Sequence, residues 1–398
     1  MCWKIYSFIV LQFLIVKGMN ADALNSPRIA EELRSRDGLP NFFYKIEAKQ
    51  LVRVAYLGGS ITAAEGWRVK SLDWLKQQYP EVAFKMIDAS VSGTGADFAV
   101  CRLEEFVLRY HPDLVFVEYR VNGGGDYPEE AFEGILRRIW EASPETDICL
   151  IYTIGQWMVS DLSEGRQFYY GIMMEELANH YGVPSIDLGV EVVRLLRNGE
   201  LAMNAETRPE NKIWFTRDLC HPTEEGHELY AKIVSRSLMQ VRDVEGGVFR
   251  RQLPEALHSN YFNRSKFLSI LDSERSEGWE LVDVEEDPVY TSDHFRTQAM
   301  LGDAIQCSKI GESVAFEWEG RHLAMTYIPQ GSGIEVEVAV DGQEAEVFRL
   351  EQTEDDALYA RHFYLKVQSP GKHRAQLTVT QLPEGSVVHI GQCLQLGR

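Results

Sequence analysis

Two short segments of the sequence carry the residue types that nucleophilic acyl transfer requires. The first is Gly58-Gly59-Ser60-Ile61-Thr62, in which a serine follows an apolar run. The second is Asp218-Leu219-Cys220-His221-Pro222, which contains an acid and a base. A serine hydroxyl becomes an effective nucleophile when a histidine accepts its proton and a carboxylate orients that histidine. We therefore interpret Ser60 as a nucleophile, His221 as its general base, and Asp218 as the residue that orients the base.

Each of these residues also has a plain structural interpretation. Ser60 could satisfy a turn or a helix cap, Asp218 could be a cap, and His221 could be a surface histidine. A metal site is the other chemical alternative. Its potential ligands are Asp218, Cys220, His221 and His227. Because their spacing fits neither a zincin helix nor a zinc-finger knuckle, we expect neither a metal nor another cofactor.

The elements that must position these residues lie between residues 51 and 241, where short apolar runs alternate with amphipathic stretches. This alternation is typical of βαβ units around a parallel sheet. Strands are expected at 51–58, 82–88, 113–119, 147–154 and 183–188. Helices are expected at 67–79, 98–110, 128–142, 164–181 and 224–241. Right-handed crossovers then produce a three-layer αβα sandwich with its site on loops at the carboxyl ends of the strands.

The pattern changes after about Gly246, where period-two alternation replaces helical periodicity. Strands are expected at 313–318, 321–327, 334–340, 345–350, 362–367 and 374–380. Asp341-Gly342 is a strong hairpin signal. We predict a catalytic domain over residues 24–245, followed by residues 246–398 as a linker region and a second, all-β sandwich of jelly-roll type. Residues 250–306 form a mixed connecting region without a clear assignment.

Four sequence blocks follow the predicted strand ends in a fixed order. They are Gly58-Gly59-Ser60-Ile61-Thr62, Asp88-Ala89-Ser90-Val91-Ser92-Gly93-Thr94, Val117-Glu118-Tyr119-Arg120-Val121-Asn122-Gly123 and Asp218-Leu219-Cys220-His221-Pro222. With these blocks, residues 51 to about 241 resemble the SGNH (GDSL-like) hydrolase superfamily, in its Gly-Gly-Ser-Ile-Thr variant, and secreted carbohydrate esterases in particular. The resemblance implies a flavodoxin-like catalytic domain.

The resemblance also implies residue roles. The serine of the first block is the family's nucleophile and donates its backbone N–H to the oxyanion, which assigns both roles to Ser60. The glycine N–H of the second block and the asparagine amide of the third complete the oxyanion hole, and they correspond to Gly93 and Asn122. The fourth block assigns Asp218 and His221 to the remaining catalytic roles. Glycine permits close backbone approach, and an asparagine amide is a neutral donor, so the chemistry of both residues suits this role.

Three positions depart from the family pattern. Gly59 replaces the aspartate of the first block, Gly123 replaces the aspartate of the third, and Arg120 replaces a glycine. We hypothesise that the Arg120 guanidinium binds a carboxylate or a hydroxyl of the substrate. The alternative is a structural ion pair of Arg120 with Glu118 or Asp126.

Aromatic residues supply further candidates for substrate contact. Trp157 follows the fourth strand and could form one wall of the pocket or pack in the core. In the second domain, Phe316, Trp318 and Tyr327 could offer a stacking surface, although aromatic residues in strands are more often buried.

The N-terminal residues match a targeting signal. Lys4 precedes an apolar stretch at 5–16, and small residues follow at Ala21 and Ala23. This pattern predicts a cleaved secretory signal over residues 1–23, because twelve apolar-leaning residues are too few to span a bilayer. An uncleaved anchor is the alternative. We therefore expect a secreted or periplasmic protein without membrane insertion after cleavage.

Charge and cysteine content narrow the functional class. The formal net charge is −20, which disfavours partners such as nucleic acids or anionic membranes. Five cysteines follow the predicted signal without CxxC spacing, so a disulfide scaffold is not indicated. One or two bridges stay open, but Cys101 and Cys149 lie in apolar segments and are expected to be core residues.

The features together predict a serine esterase that hydrolyses O-acyl esters, chiefly O-acetyl esters, on an oligo- or polysaccharide. A lipase or thioesterase is the nearest alternative, although the sequence shows no long apolar lid segment. A glycan-binding protein with a vestigial hydrolase domain is an alternative from another class. Binding alone would not require Ser60 or His221, which favours the enzyme.

Overall fold

A computed structural model describes residues 26–123, 125–242, 249–291, 294–352 and 359–397. The predicted signal at residues 1–23 lies outside the described residues. In the described part of the chain, no helix is both long and apolar enough to cross a membrane.

The first half of the chain is built on a six-stranded sheet with the order β1-β6-β5-β4-β2-β3. Its strands are β1 (Leu33–Arg34), β2 (Val52–Gly58), β3 (Phe84–Asp88), β4 (Leu114–Glu118), β5 (Asp147–Tyr152) and β6 (Ser185–Asp187). All pairs are parallel except β1 with β6. The chain places β3 on one side of β2 and then β4 on the other side, so the direction in which strands are added reverses at β2. A doubly wound sheet has a crevice at the carboxyl ends of its strands at such a point. The parallel sheet is confirmed, although β3 and β6 are shorter than predicted.

Helices cover both faces of this sheet. They are α1 (Pro40–Glu47), α2 (Ser60–Ala63), α3 (Trp67–Gln78), α4 (Ala96–Phe106), α5 (Pro128–Ala142), α6 (Val159–Ser163), α7 (Tyr169–Tyr181), α8 (Leu188–Arg197) and α9 (Glu224–Val241). Alternate β2 residues point to opposite faces, so Leu57 packs with α4, α5 and α7. Tyr56 packs with α1, α3, α8 and α9. The predicted helix over 164–181 begins only at Tyr169, and α8 was not predicted. A two-stranded parallel ribbon of β7 (Leu201–Asn204) and β8 (Ile213–Thr216) precedes α9.

The second half of the chain is an antiparallel β-sandwich, as predicted. One sheet has the order β10-β13-β18-β15-β16, and the other has the order β11-β12-β19-β14-β17 with β9 on β19. The strands are β9 (Lys266–Leu268), β10 (Glu274–Arg275), β11 (Trp279–Leu281), β12 (Ile305–Cys307), β13 (Ser313–Glu319), β14 (His322–Gln330), β15 (Ile334–Val340), β16 (Glu346–Leu350), β17 (Arg361–Tyr364), β18 (Lys372–Gln381) and β19 (Val387–Leu396). Helices α10 (Pro288–Thr291) and α11 (His294–Leu301) precede β12.

The two halves share a hydrophobic core. Met300, Leu301 and Leu394 of the second half pack in one cluster with Phe98 and Leu103 of α4. This continuous apolar contact ties the sandwich to the helices of the first half, because separating them would expose buried side chains to water. The predicted domain boundary near residue 245 is not tested by this packing and stays a prediction.

Cysteines and β-domain aromatics behave as core residues. Cys101 and Cys149 are buried free thiols, in agreement with their apolar sequence context. Phe316, Trp318 and Tyr327 are buried inside the sandwich. The suggestion that these three rings form a stacking surface for the substrate is therefore wrong, and their alternative role in the core is the observed one.

Candidate active site

Ser60 is the first residue of the short helix α2, and only Gly59 separates it from the end of β2. Its Oγ lies 2.8 Å from His221 Nε2, although the two residues are 161 positions apart. The side chain comes to this point because a buried strand ends at Gly58 and the chain turns immediately into a helix. The distance is that of a hydrogen bond through which a serine can pass its proton to a neutral histidine.

The base and the acid share one loop between β8 and α9. His221 Nδ1 lies 2.7 Å from Asp218 Oδ2, and the His221 backbone N–H donates to Asp218 Oδ1 at 2.8 Å. Leu219 takes a left-handed conformation with φ 74°, which closes the turn between the two residues. Partial burial acts to raise the pKa of Asp218, but hydrogen bonds from His221 and Cys220 outweigh it and hold that pKa below its usual value. Asp218 therefore stays a carboxylate that can stabilise a histidinium.

The second-block loop runs beside the nucleophile. The Val91 N–H donates to the Gly58 carbonyl at 3.0 Å, which ties this loop to the end of β2. Gly93 follows in a left-handed conformation with φ 70°, a region that favours glycine. The structure thus brings the predicted oxyanion donor Gly93 to the same sheet edge as Ser60.

Asn122 lies directly against the residue that precedes Ser60. A Cβ atom at Gly59 would overlap the Asn122 Oδ1, so the side-chain amide and the nucleophile loop are in contact. The same Oδ1 is buried and has no hydrogen-bond partner among the described residues. The glycine that departs from the family pattern therefore makes room for the third predicted oxyanion donor.

Gly123 departs from the family pattern for a related reason. A Cβ atom there would lie 2.5 Å from Tyr170 Cζ, and the residue has φ 67°. Tyr170 belongs to α7 and was not singled out from the sequence. Its ring occupies the space beside Gly123 that a larger residue would fill.

Arg120 is fully buried, so the expectation that it faces the substrate is wrong. Its guanidinium donates to Asp187 at 2.6 and 2.8 Å in a bidentate ion pair. The other donors reach Gln167 and the carbonyls of Tyr152 and Thr153. The alternative of a structural ion pair is the observed one, but its partner is Asp187 rather than Glu118 or Asp126.

Glu118 has a role that was not predicted from the sequence. It is fully buried at the end of β4 and accepts hydrogen bonds from Thr62 at 2.8 Å and Thr153 at 2.6 Å. Burial raises the pKa of this carboxyl, against the opposing effect of these hydrogen bonds and one from the Gly59 backbone. Through its hydrogen bonds with Thr62 and the Gly59 backbone, Glu118 thus holds the segment that carries Ser60. An acidic residue within the apolar run 114–118 was the available signal.

Trp157 lies beside the catalytic loop. Its ring covers Gly155, where a Cβ atom would stand 2.5 Å from the ring, and 49% of the residue is exposed. The neighbouring Gln156 N–H donates to the Leu219 carbonyl at 2.8 Å, which joins this segment to the Asp218 turn. The position is compatible with a pocket wall.

His227 does not join the proposed metal ligands. Its Nδ1 accepts a hydrogen bond from the Trp67 N–H at 3.3 Å, on the buried side of α9. Across the described residues, no group of three or more His, Cys, Asp or Glu side chains is arranged to hold a metal ion. The arrangement of Ser60, His221 and Asp218 fits acyl transfer.

Residues 56–229 match the GDSL-like Lipase/Acylhydrolase family. No curated protein is significantly similar to the chain. Among solved structures, a two-domain esterase (CEX) active on acetylated mannans is 21% identical with a TM-score of 0.73, and the match covers 94% of this chain and 98% of that one. The same esterase co-crystallized with mannopentaose gives 21% identity and a TM-score of 0.71, over 92% of this chain and 99% of that one. These similarities extend through both halves of the chain and establish the shared two-domain fold.

Proposed function

Because residues 56–229 match the GDSL-like Lipase/Acylhydrolase family, we propose that the protein is a serine esterase that removes O-acetyl groups from a carbohydrate. The observation that carries the proposal is the continuous contact from Ser60 Oγ to His221, at 2.8 Å, and from His221 to Asp218, at 2.7 Å. A serine esterase needs a nucleophile, a base and an acid in this arrangement, whereas a binding protein does not.

The reaction proceeds in two steps. Ser60 Oγ attacks the acyl carbon while His221 Nε2 takes the hydroxyl proton, and Asp218 stabilises the resulting histidinium. The tetrahedral oxyanion receives hydrogen bonds from the backbone N–H groups of Ser60 and Gly93 and from the Asn122 amide. As the intermediate collapses, the carbon–oxygen bond to the sugar breaks, and His221 returns its proton to the departing sugar oxygen. Water, activated by His221, then attacks the acyl-enzyme and releases the carboxylic acid and free Ser60.

The openness of the site supports a large glycan as substrate. The side chains of His221 and Asp218 are 50% and 55% exposed, so a polymer could reach the reacting atoms without entering a tunnel. The esterase with the same two-domain fold is active on acetylated mannans. We include Trp157 as a wall for the sugar ring, because a half-exposed indole suits stacking on a carbohydrate face.

Acetate release from acetylated mannan and xylan tests the proposal directly. The wild-type protein should release acetate, and Ser60→Ala should release none above the rate without protein. Substantial activity of Ser60→Ala would remove the nucleophile assignment. In parallel, p-nitrophenyl esters of increasing chain length separate the esterase from a lipase or thioesterase. A rate that rises with chain length beyond butyrate would favour the lipase interpretation.

Export is part of the same proposal. The predicted signal at residues 1–23 and an extracellular polysaccharide substrate both favour a secreted or periplasmic location. Intact-mass measurement of the exported protein would show a loss of about 23 residues at the N-terminus, in line with the signal pattern. Retention of the full chain in the cytoplasm would contradict this location.

A further inference from the structure

A side chain from the second half of the chain reaches the proposed oxyanion hole. Arg296 lies on α11, and its Nε donates a hydrogen bond to the Ser92 carbonyl at 2.9 Å across a separation of 204 residues. Ser92 is the residue immediately before Gly93. The contact therefore falls on the peptide group that joins these two residues.

This peptide group has two functional ends. The Ser92 C=O and the Gly93 N–H belong to one planar unit, and the described chain contains no cis peptide bond, so the two point in opposite directions. Fixing the carbonyl consequently fixes the direction of the N–H. A charged donor on the carbonyl also polarises the peptide and strengthens its N–H as a donor on the other side.

The guanidinium also packs on Gly93 itself. A Cβ atom at Gly93 would lie 3.0 Å from Arg296 Nη2, and the residue has φ 70°. Glycine is the residue whose backbone reorients most freely, so a peptide beside it is easily rotated out of a productive orientation. An external anchor on the Ser92 carbonyl opposes that rotation.

Arg296 is itself held in place. Its guanidinium lies 5.1 Å from the centre of the Tyr359 ring, and Nη2 donates to the Ala360 carbonyl at 3.4 Å. Two side-chain hydrogen bonds of 3.0 Å from Gln392 fix the carbonyls of Ala299 and Met300 in the same helix. The arginine therefore projects from a rigid element, which suits a positioning role.

We propose that Arg296 is a positioning residue for catalysis, which orients and polarises the Ser92–Gly93 peptide for its hydrogen bond to the oxyanion. The second half of the chain thus completes the oxyanion hole of the first. This inference rests on the proposed role of the Gly93 N–H in ester hydrolysis. A purely structural Arg296, which only joins the two halves, would affect stability and leave the chemical step unchanged.

Hydrolysis of p-nitrophenyl acetate by Arg296→Gln distinguishes the two roles, because this small substrate needs no glycan-binding surface. We expect kcat to fall by about 10- to 100-fold with KM within about twofold, since the lost interaction acts mainly in the transition state. Arg349→Gln is the matched control. Arg349 is an exposed arginine of the same sandwich, paired with Glu335 at 2.8 Å, and its loss should leave kcat unchanged.

A second measurement reports on the oxyanion directly. Reaction of Ser60 with a fluorophosphonate probe forms a product with an oxygen in the oxyanion position, and its second-order rate constant should fall together with kcat/KM. Arg296→Lys keeps one charged donor and should give a kcat between those of wild type and Arg296→Gln. Should the glutamine variant fail to fold, the lysine variant decides: a loss of kcat of threefold or more supports the role, and a smaller loss or full activity overturns it.

The failure of the inference is distinguishable from the failure of the proposed function. If the wild-type protein has Ser60-dependent activity and folded Arg296→Gln matches it in kcat and probe reactivity, only the positioning role is overturned. A fall in melting temperature with unchanged kcat below the transition likewise overturns the positioning role alone. If the wild-type protein shows no Ser60-dependent hydrolysis, the proposed function fails and the role of Arg296 fails with it.

Discussion

Gly59 and Asn122 approach so closely that a Cβ atom at position 59 would overlap the Asn122 side-chain oxygen. The backbone of Gly59 has φ −89°, which other residues adopt readily. Space, and not conformational freedom, is therefore the reason for glycine at this position. The substitution of the family aspartate and the placement of the Asn122 amide are two aspects of one local packing arrangement.

The first prediction follows from this contact. Gly59→Ala should displace the Asn122 amide and reduce kcat on p-nitrophenyl acetate by about 10²- to 10³-fold, the effect of losing one oxyanion donor. Gly385→Ala is the control for a destabilising glycine substitution away from the site: its Cβ would meet no atom within 4 Å, but the φ of 80° disfavours alanine, so stability should fall while kcat stays at the wild-type value. Wild-type kcat in a folded Gly59→Ala protein would contradict the proposed role of Asn122.

The Asp218–His221 pair yields the second prediction. Asp218→Asn should lower kcat by about 10⁴-fold, because the amide stabilises the wrong histidine tautomer and no longer balances the histidinium charge. The melting temperature should change little, since Asp218 is 55% exposed.

The sandwich contains a matched control for this variant. Asp341 and His373 are also 2.7 Å apart, but they belong to the β domain. Asp341→Asn should leave kcat unaltered. Equal activity losses in the two aspartate variants would indicate a general stability effect instead of catalysis by Asp218.

Local sequence patterns were sufficient to predict much of the catalytic domain. Apolar runs bounded by turns predicted β2, β4 and β5 because these strands are buried on both faces of a parallel sheet. Helix α8 was missed because its segment Val190-Glu191-Val192-Val193 is rich in β-branched residues, which favour a strand. Its Asp187 cap, which accepts a hydrogen bond from the Gly189 N–H, was the available signal.

Strand β19 shows why the sandwich was harder to predict. It is buried on nearly its whole length, so it lacks the period-two alternation by which a half-exposed strand is recognised. One side faces the sandwich core, and at Gly391 the other side meets the Leu301 backbone. That second contact depends on packing between distant segments, which a local pattern does not encode.

Similar reasoning applies to the site. Ser60, Gly93, Asn122, Asp218 and His221 lie in short motifs at strand ends, so a local pattern was enough to propose a role for each of them. Arg296 lies in no motif, and its contact with Ser92 links residues 204 positions apart. The substrate role of Arg120 was inferred from its place in the third block, and the ion-pair alternative named only acidic residues nearby in sequence, whereas its partner Asp187 comes from β6.

The Arg120–Asp187 ion pair is the subject of the third prediction. Arg120→Met leaves a buried carboxylate without its cation and should cost about 3–5 kcal/mol in the free energy of unfolding. Adding Asp187→Asn removes the stranded charge while keeping an acceptor for the Gly189 N–H, so the double variant should recover part of this loss. Urea unfolding of the two variants and the wild type measures the difference.

The same variants test whether Arg120 contacts substrate. Because Arg120 is fully buried, a folded variant should lose activity equally on neutral and on uronic acid-containing acetylated glycans. A selective loss on the acidic glycan would restore the recognition hypothesis.

The fourth prediction concerns stability in mild acid and depends on His227. Burial lowers the pKa of His227 to about 4, whereas an unfolded histidine has a pKa of about 6.5. Between these values the unfolded state binds more protons than the folded state, so the contribution of neutral His227 to stability is full above about pH 6.5 and is lost as the pH falls toward 4.

The free energy of unfolding that is lost over this range is on the order of 3 kcal/mol. His227→Gln and His227→Asn cannot take up this proton, so the free energy of unfolding of each variant, relative to that of the wild type, should rise by that amount from pH 7 to pH 4. Urea unfolding at unit pH intervals measures this, and pH curves that run parallel to wild type in both variants would exclude His227 as the titrating group.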